Sequence, residues 1–315
     1  MQAVYLMGPT GAGKTDAAAA LAEALPLEIV SVDSALVFRG MDIGTAKPDA
    51  ALRARLPHHL IDLIDPTEAY SAGRFLADCR QAMADVRSRG RVPLLVGGTM
   101  LYFRALQSGL AEMPVRDEAV RRSIELRAAA QGWPALHAEL AGKDPLAAAR
   151  IQPADRQRIQ RALEVIEITG KPLSSLQRED LRGGEDADAL KLVLAPADRA
   201  AGVAVLAGRL ERMMERGFLA EVESLHARGD LGPDLPSIRC VGYRQLWGFL
   251  EGQSTLPEAV ERAQIATRQL AKRQLTWLRA EPGAEWVDAL DTGAIAHIKE
   301  RVETWLGRFG STATL

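Results

Sequence analysis

No run in this chain approaches the ~18 consecutive apolar residues that a membrane-spanning helix requires. Its first residues carry neither a basic leader nor a small-residue cleavage site. An unexported, cytoplasmic protein with no membrane attachment is therefore expected, and nothing in the sequence calls for an obligate protein partner. Cysteine is scarce: Cys79 and Cys240 lie far apart, without metal-ligand or redox spacing, and read as two reduced thiols. The histidines, His58, His59, His137, His226 and His297, form no metal-type cluster. An excess of charge of either sign is also missing. Lys and Arg number 39 against 41 Asp and Glu, so any basic footprint for nucleic acid has to be local. There is no internal repeat, and residues 310–315 alone read as a weakly ordered tail. What remains is ordinary globular composition over 315 residues, 47% hydrophobic and 25% charged, enough for one large domain or two smaller ones.

Against these absences stands one octapeptide, Gly8-Pro9-Thr10-Gly11-Ala12-Gly13-Lys14-Thr15. It follows the apolar run Ala3-Val4-Tyr5-Leu6-Met7 and precedes an alanine-rich helical stretch, residues 16–25. Strand, Gly-x-x-x-x-Gly-Lys-Thr loop and helix in this order make a phosphate-binding loop. Glycines let successive N–H groups turn inward, and the dipole of the following helix favours negative charge. Lys14 is placed to reach the outer phosphate, and the Thr15 hydroxyl to hold magnesium (Mg2+) bridging the phosphate oxygens. All eight residues are thus diphosphate-binding candidates. Kinases, hydrolases, switches and a few group transferases share such loops, so the rest of the chain has to decide among them.

The first hundred residues alternate strand and helix. Strands are expected at 27–32, ending at Asp33, and at 92–96, ending at Gly97-Gly98-Thr99, with a helix capped by Ser71 between them. Such alternation implies an α/β fold: a parallel P-loop sheet flanked by helices, with its chemistry at the strand carboxyl ends. Asp33 and Thr99 are then on the same edge as the loop. Strand signals vanish across 116–189, which reads as an inserted all-helical subdomain with a strong helix over 155–169 stopped by Gly170 and Pro172. After the polar link Gly183-Gly184-Glu185-Asp186, the strand 190–194 returns the chain to the sheet. Helices follow at 198–216, 219–228, 243–250 and 257–279. The catalytic core is accordingly expected over 1–115 and 190–309.

Asp33 admits two chemical roles, a magnesium-site carboxylate or a general base for an acceptor attacking the loop-bound donor. A structural role, capping the next turn, is the third reading. The base is the better fit to its place. The Thr99 hydroxyl can cap the helix that follows or donate to a phosphate oxygen. Two local basic faces also stand out. On the 155–169 helix, Ile159, Leu163 and Ile166 make the buried side and leave Gln157, Arg158 and Arg161 opposite. On the last helix Arg268, Lys272 and Arg279 form an outward stripe opposite Ala266, Leu270 and Trp277, interrupted by Ile265 and Leu275. Each face reads either as solvated charge or as an RNA contact.

Several longer segments carry a resemblance. The loop, Ser31-Val32-Asp33-Ser34, Arg39-Gly40-Met41-Asp42-Ile43-Gly44-Thr45-Ala46-Lys47-Pro48, Val96-Gly97-Gly98-Thr99-Met100-Leu101-Tyr102, Ser237-Ile238-Arg239-Cys240-Val241-Gly242-Tyr243-Arg244-Gln245 and Lys272-Arg273-Gln274-Leu275-Thr276-Trp277-Leu278-Arg279 together resemble bacterial tRNA dimethylallyltransferases. The likeness runs from Met1 to about Arg279. That family usually has Ala-Ser where this chain has Gly11-Ala12, a change between small residues.

The resemblance implies transfer of a dimethylallyl group from dimethylallyl diphosphate to the exocyclic N6 amine of the adenosine 3′ of the anticodon in tRNA. It implies Asp33 as base, Thr99 and Lys14 at the diphosphate, and Arg209 as a further diphosphate partner. It also implies tRNA contacts from Asp33, Ser34, Ala35 and Leu36, from Thr99 and Arg121, and from Gln157, Arg158, Ile159, Gln160 and Arg161. The same holds for Arg239, Cys240, Val241, Gly242, Tyr243 and Arg244, and for the whole stretch Lys272, Arg273, Gln274, Leu275, Thr276, Trp277, Leu278 and Arg279. The helical insertion becomes the tRNA-gripping part. The rival reading, a small-molecule or nucleoside kinase, explains the first hundred residues equally well but leaves the two late segments without a role. A nucleotide-driven switch is weakened by the lack of a second apolar strand ending in a metal-binding Asp.

Overall fold

In the computed structural model, residues 2–111, 113–179 and 189–310 are described, so the Gly183-to-Asp186 link and the tail 311–315 lie outside the described residues. The elements in chain order are β1 (Val4–Met7), α1 (Lys14–Ala24), β2 (Leu27–Val32), α2 (Ala50–Arg55), β3 (His58–His59), α3 (Ala72–Ser88), β4 (Val92–Gly97) and α4 (Met100–Ser108). Then come α5 (Glu118–Gln131), α6 (Trp133–Lys143), α7 (Pro145–Ala148), α8 (Arg156–Thr169) and α9 (Leu173–Glu179). The chain continues with β5 (Leu190–Ala195), α10 (Arg199–Glu215), α11 (Phe218–His226), α12 (Tyr243–Leu250), α13 (Leu256–Leu278), β6 (Glu285–Asp288) and α14 (Ala294–Gly310). Two compact units divide it: residues 1–104 with 186–315, and residues 105–185.

The first unit holds a sheet of order β3-β2-β4-β1-β5-β6 in which every pairing is parallel. β1 and β2 are buried at every position because helices cover both faces; β1 is apolar throughout, whereas β2 carries Ser31 and Glu28, the latter paired with His59 and Arg89, among its apolar residues. On one face Leu6, Leu21, Leu192, Ile298, Val302 and Trp305 share a core that brings α14 against α1 and the strands. Each buried aliphatic side chain there contributes roughly 1.5–3 kcal/mol. Tyr5 points to the other face, where its ring meets Phe103 at 5.2 Å, while Phe75 of α3 stacks on Tyr102 at 4.1 Å. The register fixes the site: Gly97 pairs with both Met7 and Val32, so the next residues, Gly8, Asp33 and Gly98, leave the sheet side by side.

A second core in this unit packs Phe38 and Met41 of the loop after β2 with Leu210 of α10, Phe218 of α11, Trp247 of α12 and Ala263 of α13. Buried polar groups fix that loop. Lys47, 8% exposed, donates to Phe38 O and is paired with Asp42 and Asp62. The Glu221 carboxylate accepts from the N–H groups of Asp42, Ile43 and Gly44 at 2.9, 2.7 and 3.1 Å and from Tyr243 Oη at 2.5 Å.

The regular elements among the second unit's described residues are all helices, with Ile124, Leu136, Leu140, Ile159, Leu163 and Val165 at its centre. Its strongest helix, α8, starts where Asp155 accepts from Arg158 N–H and stops at Gly170 with φ 69°.

Candidate active site

Gly13 takes φ 76° at the start of α1, a conformation that costs other residues a Cβ clash, and no side chain caps the helix. Its first N–H groups are therefore open to an anion. Gly13 and Thr15 are exposed. The Lys14 ammonium turns back into the loop and donates to Gly8 O at 2.9 Å and Pro9 O at 2.7 Å. Burial pushes its pKa down to about 8, with the charge of Asp33 raising it and that of Arg209 lowering it further.

Asp33 is half-buried at the end of β2, and its Oδ1 accepts from Ala35 N–H at 2.8 Å. One oxygen thus shapes the turn, which leaves Oδ2 for chemistry, so the structural and chemical readings are compatible. The charge on Asp33 reaches residues from four other elements or loops. It acts on Lys14 and on Arg209 of α10, whose guanidinium is shifted down chiefly by burial; it raises the Tyr102 phenol, also chiefly raised by burial. It adds to the burial that pushes the Cys240 thiol up to about 12, which keeps that thiol protonated and unreactive at neutral pH. Asp33 is the common neighbour of the loop's lysine, a half-buried arginine and the 239–244 segment.

Thr99 lies just after β4, and its backbone O accepts from Tyr102 N–H at 2.9 Å as α4 begins. Its Oγ1 accepts from Ser34 N–H at 3.1 Å, because the pairing of β2 with β4 sets the two strand ends side by side. Gln274 of α13 makes another bridge: Thr10 N–H donates to its Oε1 and its Nε2 donates to Gly98 O, both at 2.9 Å.

An anion cradle, a buried-side lysine and arginine, and a carboxylate facing them suit displacement of a phosphate-type leaving group by a nucleophile that must lose a proton. Residues 36–281 match the family model described as IPP transferase. The chain belongs to the IPP transferase family. A relative from Thioalkalivibrio sulfidiphilus (strain HL-EbGR7) named tRNA dimethylallyltransferase is 55% identical over 309 residues, covering 96% of this chain and 95% of the relative. The full-length tRNA isopentenylpyrophosphate transferase from Bacillus halodurans matches with TM-score 0.72 and 35% identity over 98% of each chain. A eukaryotic dimethylallyltransferase acting on tRNA matches with TM-score 0.81 and 25% identity, over 98% of this chain and 80% of that one.

In this IPP transferase family member, the segments expected to meet RNA divide by burial. Ser34, Arg239, Arg244, Lys272, Arg273, Thr276 and Arg279 are exposed, as are Gln157 and Arg158 in the helical unit. Ala35, Leu36, Cys240, Val241 and Leu275 are half-buried. Ile159, Tyr243 and Leu278 are fully buried and hold their segments from beneath, and Gly242 is buried beside the Phe218 ring.

Two side chains differ from the helical-wheel reading. Arg161 is half-buried, donating to Glu164 Oε2 at 3.0 Å and Pro114 O at 2.9 Å, because Glu164 is fully buried on α8 and needs cations. Arg121 pairs with the same carboxylate at 3.2 Å and donates to Gln160, so these three expected RNA contacts also form an internal network. Trp277 is 42% exposed, with Arg104 over its ring at 5.9 Å. The buried stripe of α13 continues through Ala271 and Leu278, one residue away from the position that Trp277 would occupy.

Sequence reasoning missed Glu221 altogether, and gave Gln274 no part in the loop. A Gln at a position of the helical period where the core face continues was the available signal.

Proposed function

We propose that this protein transfers a dimethylallyl group from dimethylallyl diphosphate to the N6 amine of the adenosine 3′ of the anticodon in tRNA, releasing diphosphate, in the cytoplasm. The observation that carries this reading is the place of Asp33, within the electrostatic reach of Lys14 and Arg209 on one side and of the 239–244 segment on the other. The names of relatives that match the chain nearly end to end support the same substrate pair.

The amine lone pair is delocalised into adenine, so the nitrogen attacks well only as its proton leaves. Asp33 Oδ2 takes that proton while the nitrogen bonds to the first carbon of the donor. The carbon–oxygen bond breaks, and its electron pair departs with the diphosphate. The N–H groups of Gly13, Lys14 and Thr15, the Lys14 ammonium and the Arg209 guanidinium stabilise the growing charge on that oxygen. Thr15 fits magnesium: an exposed hydroxyl oxygen beside an open helix start is the type of hard ligand this ion takes when substrate phosphates supply the others. When bound, the ion neutralises charge on the leaving diphosphate. Thr99, through Ser34, orients the base-side turn.

On the RNA side, Arg158, Lys272, Arg273, Arg279, Arg239 and Arg244 position the anticodon arm through phosphates, and the single-stranded loop supplies a splayed-out base. The helical unit is the tRNA-gripping part. Incubating the purified chain with magnesium, unfractionated tRNA and either labelled dimethylallyl diphosphate or labelled ATP tests the reading. Label should pass from the prenyl donor into tRNA; phosphoryl transfer from ATP with no prenylation would replace it with the kinase reading.

A further inference from the structure

Along the end of α13, Lys272, Arg273, Thr276 and Arg279 face solvent, while Gln274 turns inward with buried Ala271 and Leu278. Spacings of three and four from those two neighbours call for an apolar side chain. The amide sits there instead with both ends engaged, accepting from Thr10 N–H and donating to Gly98 O, each at 2.9 Å. A Cβ on Gly98 would lie 2.4 Å from Gln274 Nε2 and 2.9 Å from Gly8 O, so glycine is what admits this approach.

We propose that Gln274 is a positioning residue for the transfer, whose side-chain amide fixes the phosphate-binding loop against the Gly97-Gly98-Thr99 turn. The inference rests on the transferase reading of the same site. Thr10 immediately precedes the loop glycines, so a bond to its own N–H, together with the Ala12 N–H bond to Pro9 O at 3.4 Å, sets the shape of the loop, and the N–H groups of Gly13, Lys14 and Thr15 at the helix start remain for the diphosphate. On the other side, Gly98 immediately precedes Thr99, which accepts from Ser34 N–H next to Asp33. One planar amide therefore spans the leaving-group side and the base side of the reaction. Its job needs an acceptor and a donor together: methionine has similar volume and neither function, and a glutamate carboxylate only accepts.

The test compares the parent with Gln274→Met and Gln274→Glu in single-turnover and steady-state transfer at saturating tRNA. Thermal unfolding, tRNA affinity and affinity for inorganic diphosphate are measured on the same preparations. Gln274→Met should lower donor kcat/KM by roughly 10- to 100-fold, the effect of two lost hydrogen bonds, and weaken diphosphate binding while tRNA affinity stays within two-fold. Gln274→Glu should be poor at neutral pH and recover relative to the parent as pH falls, because the protonated carboxyl regains a donor for Gly98 O. That recovery would be absent for a residue that only stabilises the fold. The proposal is overturned by lower thermal stability with normal donor kcat/KM and a flat pH ratio, or by lost tRNA affinity with normal donor kinetics. A parent that transfers no prenyl group would overturn the transferase reading alone. The diphosphate affinities, which need no chemistry, would then still decide the role of Gln274.

Discussion

Thr99 Oγ1 accepts a hydrogen bond from the backbone N–H of Ser34 at 3.1 Å, across the carboxyl ends of β4 and β2. Ser34 follows Asp33, whose Oδ1 in turn holds Ala35 N–H. The carboxylate is therefore fixed from both sides of its turn. Thr99→Val keeps the shape and removes the acceptor, and should slow transfer by about 3- to 10-fold, the value of one net hydrogen bond. Thr99→Ser should restore most of the rate, which single-turnover measurements on the pair would show. Equal rates in both variants would remove Thr99 from the positioning of the base.

Asp33→Asn retains an oxygen for Ala35 N–H but cannot take a proton. The transfer step should slow by about 10²- to 10⁴-fold, with donor and tRNA affinities preserved. Single-turnover transfer at saturating substrates, alongside separate affinities, checks this. A rate within a few-fold of the parent would exclude the base role, and weakened donor binding rescued by excess magnesium would move Asp33 to the metal site.

Lys14 predicts a pH dependence. Its folded pKa is lowered from 10.5 to about 8, so the free protein loses the ammonium charge as pH rises through about 8, and affinity for the diphosphate donor should fall over the same range. Because the charge of Asp33 opposes the shift, Asp33→Asn should move the midpoint lower. The stability effect has the opposite sign. Between about 8 and 10.5 the unfolded chain binds the proton that the folded chain has released, so stability rises with pH across that window, and below it the burial penalty is fully present. Lys14→Met should abolish both trends, measured by calorimetric titration and by denaturant unfolding at several pH values.

The basic faces separate into two behaviours. Arg158→Ala, Lys272→Ala and Arg279→Ala, at exposed positions, should each reduce the salt slope of tRNA binding by roughly one unit while leaving donor affinity alone. Arg161→Ala should in addition destabilise the helical unit by roughly 1–3 kcal/mol, because buried Glu164 loses one of its two cationic partners. Binding curves at several salt concentrations and thermal melts would separate them; unchanged affinity in all four variants would return these residues to solvated surface.

The parts of this protein that follow local rules are legible in the residues alone. The phosphate loop was legible because strand, glycines, Lys-Thr and helix must be contiguous to make an anion cradle. The strands 27–32 and 92–96 were legible because burial on both faces favours apolar residues, which predominate in both although Glu28 and Ser31 interrupt the first. α3 and α8 were legible because Ser71, Asp155 and Gly170 satisfy helix ends within a turn. The place of Asp33 and Thr99 on the loop's edge followed from the rule that parallel strands carry their chemistry at their carboxyl ends.

The rest depends on packing between distant parts of the chain. β3 has two residues and β6 four, too short for a period to register, and each forms only because a neighbouring strand offers its backbone edge. Arg161 turns inward because Glu164 Oε2, shared with Arg121 from 40 positions earlier in the chain, and Pro114 O both offer it an acceptor. Gln274 meets Thr10 across 264 positions of sequence. Such contacts join groups whose partners are set by the packing of helices on the sheet, and no local pattern encodes a partner that the chain brings near only when folded.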